Sequence, residues 1–252
     1  MAVNVTLAAI LFTLMYIIGG DRGLKAYLTL ICNLITVILS IKAIVGGANI
    51  LVVTFIACLV ISTLNLFVVN GFNVKSKASL YSILIVVAIL ISFSILAVKL
   101  SHIQGFTTEQ CEGLMVYSMQ IQISYESLAV CVMVISLIGA LIDTAISICS
   151  AMYEVVVVNP SISSKELFAS GVRMGQDILS SNTNTLYFGF LGGNLAFCIW
   201  LKVYQMTLGH MANYKLFVEE IISLIISGLG CLLVIPVAAF ICTRLLKPEK
   251  AK

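Results

Sequence analysis

The stretch GALIDTAISICSAMYE, residues 139–154, reads as an apolar helix except for its acids and serines. Ser136, Gly139, Asp143, Ser147, Ser150 and Glu154 follow one another at steps of 3, 4, 4, 3 and 4 residues. A helix turns about 100° per residue, so these steps hold all six on one narrow face. The other faces carry Val, Ile, Leu, Met, Ala and Cys. The pattern inverts that of a soluble helix, and the polar line must meet protein or trapped water rather than lipid. A charged Asp at mid-membrane costs about 2.5–3.5 kcal/mol on insertion scales, and intramembrane acids commonly mark ion or proton pathways. Protonation removes the charge, so an acid that gains and loses a proton in a protein-lined space suits proton coupling. The competing reading is a packing contact. Small residues then let two helices approach, and Ser or Asp hydrogen-bonds across them. Glu154, at the end of the stripe, also fits a solvated position at the membrane interface.

A second polar cluster follows in QDILSSNTNTLYFGFLGGN. Asp177, Ser180, Ser181, Asn182, Thr183, Asn184 and Thr185 lead into another apolar run. Their amides and hydroxyls could pair with the stripe or hold a ligand. The simpler reading is a capped helix start, but one cap needs fewer polar groups than this. Thr185, Gly189 and Gly192 or Gly193 continue at helical spacing as a small face for close packing. Pro236 falls inside the last apolar run, where it predicts a kink and a freed carbonyl. Glu219 and Glu220 open that run, at the positive end of its dipole.

These residues need helices to carry them, and the composition says which kind. The chain has 252 residues, 61% hydrophobic and 10% charged, with a mean hydropathy of +1.13. So few charges cannot cover a soluble domain of this size, which places the chain in a bilayer. The net charge of +3 is small, and no basic patch is interleaved with aromatics, so no nucleic-acid partner is expected. The eight cysteines form no CxxC pair and lie mostly within apolar runs. Cys111, in a loop, is the one to test for reactivity. His102 and His210 lack ligand spacing, so neither a metal site nor a cofactor is expected.

Seven runs have the roughly 20-residue length of a membrane helix. They cover about residues 3–20, 26–46, 48–70, 79–101, 127–154, 184–207 and 217–245. The first has no Lys or Arg before it and reads as a retained membrane helix rather than a signal peptide. After Pro160, Ser163 or Ser164 can cap a further helix, KELFASGVRMGQDILSS. Its Leu167, Phe168, Val172, Ile178 and Leu179 predict an amphipathic helix lying along the interface. Segment 112–123 is a weaker candidate of the same kind on the other side. With the N-terminus outside and the C-terminus inside, Arg22, Lys25, Lys75, Lys77, Lys165, Arg173, Arg244, Lys247, Lys250 and Lys252 fall on the cytoplasmic side. Lys42, Lys99, Lys202 and Lys215 fall outside or at helix ends, so the positive-inside rule favours that orientation. The expected fold is all-α and integral to the membrane. It is one multi-pass domain over residues 1–252, with its polar core at 136–193.

Several blocks of the chain resemble those of the YibE/F-like membrane proteins. They are GGDRGLKAYLTLICNL, NGFNVKSKASLYSIL, LIGALIDTAISICSAMYEV, NPSISSKELFASGVRMGQDILSSNTNTL and FVEEIISLIISGLGCLLVIPVAAFI. The similarity runs from about residue 19 to 245, and its central block, 138 to 193, is the most specific. The resemblance implies a multi-pass bacterial plasma-membrane protein. It implies the shorter, YibF-type form, one half of a pair with a longer, paralogous YibE-type partner. A more distant similarity is to the membrane domain of SecF and other RND-type permeases. There a Gly precedes an intramembrane Asp-Thr, here Asp143-Thr144. A cytoplasmic amphipathic segment and a Thr/Ser-rich helix start follow, here Asn182 to Thr185. The chain departs from that pattern at Asp177, which stands near a basic position of SecF-like proteins. It also departs in having no large domain between its early helices, and in seven predicted helices rather than six.

The expected function is therefore a permease-like subunit of a hetero-oligomer, with proton- or ion-coupled transport of an unspecified substrate. Asp143 is the candidate relay. Thr144, Ser147, Ser150, Asn182, Thr183, Asn184 and Thr185 are candidate pathway residues, and Glu154 or Asp177 the cytoplasmic mouth. The alternative is a non-transporting scaffold or sensor for a partner with an extracytoplasmic domain. The chain carries no GxxxxGK[ST] loop for ATP, and no HExxH or paired-Asp motif of an intramembrane protease, so no enzyme activity is expected.

Overall fold

The computed structural model describes residues 2–103, 124–195 and 205–246, together with 199, 202 and 203. Segment 112–123 and Cys111 lie outside the described residues, as do parts of the run 184–207. All described elements are helical. They are α1 (Ala2–Val45), α2 (Ile50–Thr63, extended by a π-helical stretch, Leu64–Val69), α3 (Val74–Ser101), α4 (Tyr125–Val158), α5 (Ser164–Gly193), the short α6 (Leu208–Ala212) and α7 (Lys215–Leu246).

Five of these, α1, α2 with its π-helical extension, α3, α4 and α7, are long and apolar enough to cross a membrane. The sequence predicts seven; the lower number counts the two arms of α1 as one element, and the run 184–207 is described only in part. The runs 3–20 and 26–46 belong to one element, which turns at Gly20 (φ 54°, ψ −133°). Only glycine adopts that backbone without strain. The Phe12 and Tyr27 rings meet at 5.0 Å, whereas fifteen residues of straight helix would hold them about 22 Å apart. The arms therefore fold back on each other, and a Cβ at Gly23 would overlap the Met15 backbone. Helix α5 differs from the expectation in its extent. The expected interfacial helix and the start of the sixth run form one continuous helix. The charges of its first half and the amides and hydroxyls of residues 180–185 leave its described part out of the candidate spans. Ser163 caps it as expected: Ser163 Oγ accepts from Glu166 N at 3.2 Å, and Glu166 Oε2 accepts from Ser163 N at 3.1 Å.

Helix α4 is the axis of the bundle. Its buried residues Met133, Leu137, Leu141, Ile148 and Met152 recur at helical spacing. Leu137 and Leu141 meet α3 and α7 around Gly230, and Met152 meets α5 at Gly171. Helix α7 runs parallel to α4, since Gly230 lies by Leu141 and the Cys242 thiol points at the Cys149 carbonyl. Helix α3 is antiparallel, with Leu90 by Gly230 and Lys75 over the Tyr153 ring at 5.7 Å. Helix α5 is antiparallel to both α4 and α7. Its Gly171 lies by Met152 and Ala239, its Gly175 by Ile235, and its Asn194 by Glu220. Helix α7 remains helical through Pro236.

Candidate functional site

Three polar features converge on α4. The first is buried. Asn182 Nδ2 of α5 donates to Thr144 Oγ1 of α4 at 2.6 Å, and Thr144 Oγ1 donates to the Ala140 carbonyl at 2.7 Å. Thr144 is fully buried. One threonine thus ties α5 to α4. Hydrogen bonds between membrane helices average about 0.6 kcal/mol and reach about 1.7 kcal/mol. Asn182→Ala is expected to cost about 1 kcal/mol, and Thr144→Val to add little once Asn182 is gone. A double-mutant cycle on thermal unfolding checks this coupling.

The second feature is the stripe itself. Ser136, Gly139, Asp143, Ser147 and Glu154 are exposed on α4, and Ser150 is half-buried. Asp143 is fifteen residues from Val158, about 22 Å along the axis, and farther from Tyr125. Helix α5 continues this polar surface with exposed Arg173, Asp177, Ser180, Ser181, Thr183 and Asn184. The surface of α1–α3 is of the opposite character. It exposes Ile17, Leu34, Ile56, Tyr81, Ile85, Ile89 and Phe93, as lipid requires. Within this chain a Cβ added at Gly139, Gly189, Gly192 or Gly193 meets nothing within 4 Å. Close helix approach is made instead by Gly171 and Gly175, a GxxxG pair. The sequence reading does not single out that pair, although its spacing was the available signal.

The third feature is a cavity of about 330 Å³ between α4, α5 and α7. Ser136, Thr185, Gly189, Asn194, Glu220, Ser223 and Ser227 line it, with Leu186, Phe190 and Leu224. It gathers Ser136 and Thr185 from the two predicted clusters. The remaining polar groups were legible too: Glu220, Ser223 and Ser227 are spaced 3 and 4 apart, a second stripe on α7. The structure therefore brings Thr144 and Asn182 into contact and sets Thr185 and Gly189 on a cavity wall. It leaves Asp143, Ser147, Glu154, Asp177, Thr183 and Asn184 facing outward. Pro236 adjoins Ile235, which packs on Gly175, and it is not part of the cavity lining.

A family model described as YibE/F-like protein matches residues 7–248. No curated protein and no solved structure gives a match.

Proposed function

The chain belongs to the YibE/F-like family, and from that premise we propose that it is a permease-like membrane subunit completed by a second, paralogous YibE-type chain. The observation that carries the reading is the exposure of Asp143 at mid-helix among Ser136, Gly139 and Ser147, on a bundle whose other outer helices expose aliphatic and aromatic side chains. An acid there facing lipid costs about 2.5–3.5 kcal/mol, and each uncovered hydroxyl and amide adds to it. A partner that supplies polar groups or a hydrated space removes the cost. In this reading Asp143 relays a proton or ion. Thr183 and Asn184 line the path beside it, and Glu154 and Asp177 mark its cytoplasmic mouth. The bundle end bearing Lys75, Glu154, Lys165 and Arg244 faces the cytoplasm of a bacterial plasma membrane, with the N-terminus outside, in line with the positive-inside rule.

Asp143→Asn keeps the shape and the hydrogen bonding and removes the titratable proton. The expected result is normal accumulation with loss of any gradient-dependent phenotype. An unchanged phenotype at wild-type protein level overturns the relay.

The open space over Gly139 favours one alternative, a scaffold or sensor whose stripe is an assembly face only. That reading predicts that Asp143→Asn is tolerated.

A further inference from the structure

The cavity between α4, α5 and α7 is drawn out along the helix axes. Asn194 and Glu220 mark one end, where Asn194 Nδ2 lies 3.4 Å from Glu220 Oε2. Ser223 follows Glu220 by one turn of α7 and Ser227 by two. Thr185 is nine residues from Asn194 on α5, about 13 Å along its axis. Ser136 belongs to the far end, since its neighbour Leu137 meets Gly230, three residues beyond Ser227. The polar line continues past that end. Next on the same face of α4 come Gly139, where an added Cβ meets nothing within 4 Å, and Asp143, both exposed. On α5, Thr185 is one turn from Asn182, which bonds Thr144, the residue after Asp143. From Glu220 to Ser227 and on from Ser136 to Asp143 is seven residues each, about 21 Å from near the start of α7 to mid-helix.

We propose that this cavity is the hydrated outer half of an access path to Asp143, with Glu220 as the cation-selecting group at its mouth. It rests on the relay and the orientation proposed above: with Arg244 at the cytoplasmic end of α7, Glu220 lies at the outer end. Hydrogen bonding calls for water there. An ionised carboxylate accepts about four hydrogen bonds, and Glu220 receives one long contact, from Asn194. The Ser223 hydroxyl has no partner among the described residues. Ser136, Thr185 and Ser227 donate to carbonyls of their own helices at 2.9, 3.1 and 2.8 Å, which leaves their lone pairs for water. A volume of about 330 Å³ holds roughly ten waters. Among the described lining residues Glu220 is the only charged one, so the mouth attracts cations and repels anions. From Gly139 inward the path is open on the side of the stripe, which is the side the second chain covers.

The test is cysteine accessibility in intact cells, on the full chain in its own membrane. The background is Cys111→Ser, which removes the loop thiol. Ser223→Cys and Ser136→Cys, both near-isosteric, report the mouth side and the far end. Ile225→Cys, exposed on the side of α7 opposite Ser223 and Ser227, reports lipid. The probe is a membrane-impermeant cationic methanethiosulfonate, which reacts with thiolates in contact with water. The expected result is that both serine positions react from outside roughly tenfold or more faster than Ile225→Cys. A rate at Ser136→Cys no faster than at Ile225→Cys overturns the path even if Ser223→Cys reacts. Labelling from the cytoplasmic side alone, in inverted vesicles, overturns the outer mouth. Glu220→Gln is expected to lower the ratio of cationic to anionic reagent rates at Ser223→Cys about fivefold, and an unchanged ratio overturns the role of Glu220. None of these rates needs the Asp143 proton. A silent Asp143→Asn with labelling intact overturns the relay alone, and a lost phenotype without labelling overturns the path alone.

Discussion

Gly175→Leu is expected to abolish accumulation of the folded chain. A Cβ at Gly175 would overlap Ile235 Cγ2 and lie 3.1 Å from Ile235 Cγ1 and 3.2 Å from its Cβ, and a leucine adds three further carbons. Ile235 is β-branched and therefore stiff, and Pro236 fixes the backbone that follows it. Neither side can give, so the cost is expected at or above the upper end of the usual 1–3 kcal/mol for overpacking. Gly171 supplies the comparison. A Cβ there would lie 2.5 Å from Met152 Sδ and 3.1 Å from Ala239 Cβ, but a thioether can swing aside. Gly171→Ala should therefore be milder than Gly175→Ala. Fluorescence-detected size exclusion with thermal unfolding measures both. A monodisperse Gly175→Leu with wild-type stability contradicts the packing of α5 on α7.

Gly139→Leu is expected to do the reverse. A Cβ at Gly139 meets nothing within 4 Å in this chain, so the isolated subunit should fold and unfold as the wild type does. If a partner covers the stripe at close range, the leucine wedges it away. Loss of contact around one buried small residue is expected to cost a few kcal/mol of association. Each 1.4 kcal/mol is tenfold in affinity, so recovery of the partner should fall at least tenfold at unchanged subunit level. Quantifying both chains after affinity purification reads the ratio directly. The two glycines thus separate the inside of the subunit from its interface.

How much of this was legible in the sequence varies by residue. The polar stripe on α4 was, because a 3–4 spacing forces residues onto one face whatever surrounds them. The Ser163 cap was too, because Ser followed three residues later by Glu is a local pattern that needs no tertiary partner. The pairing of Thr144 with Asn182 was not, since a contact between helices 38 residues apart depends on how α5 crosses α4. Helix α5 is one helix where the sequence suggests two. Its charged first half and small-residue second half differ in composition, and the junction SSNTNT is weak in helix propensity, but no proline interrupts it and the contact of Asn182 with Thr144 holds the helix through it. The break between the runs 3–20 and 26–46 is legible from Asp21, Arg22 and Lys25, but not that helix continues on both sides of it with no loop. One glycine in a left-handed conformation reverses the chain. The cavity is not legible in the sequence because Glu219 and Glu220 equally suit a helix N-terminus. Only their separation into a lining and a non-lining carboxylate shows the difference.

The central claim is that the α4–α5 polar face is covered by a different membrane chain. Its most direct test is gentle native purification of the tagged chain from its own membranes, with the mass and composition of the complex determined. The account predicts a stoichiometric second polypeptide, a longer multi-pass paralogue with an extracytoplasmic domain, lost on Gly139→Leu. Recovery of this chain alone, or only with copies of itself, contradicts it.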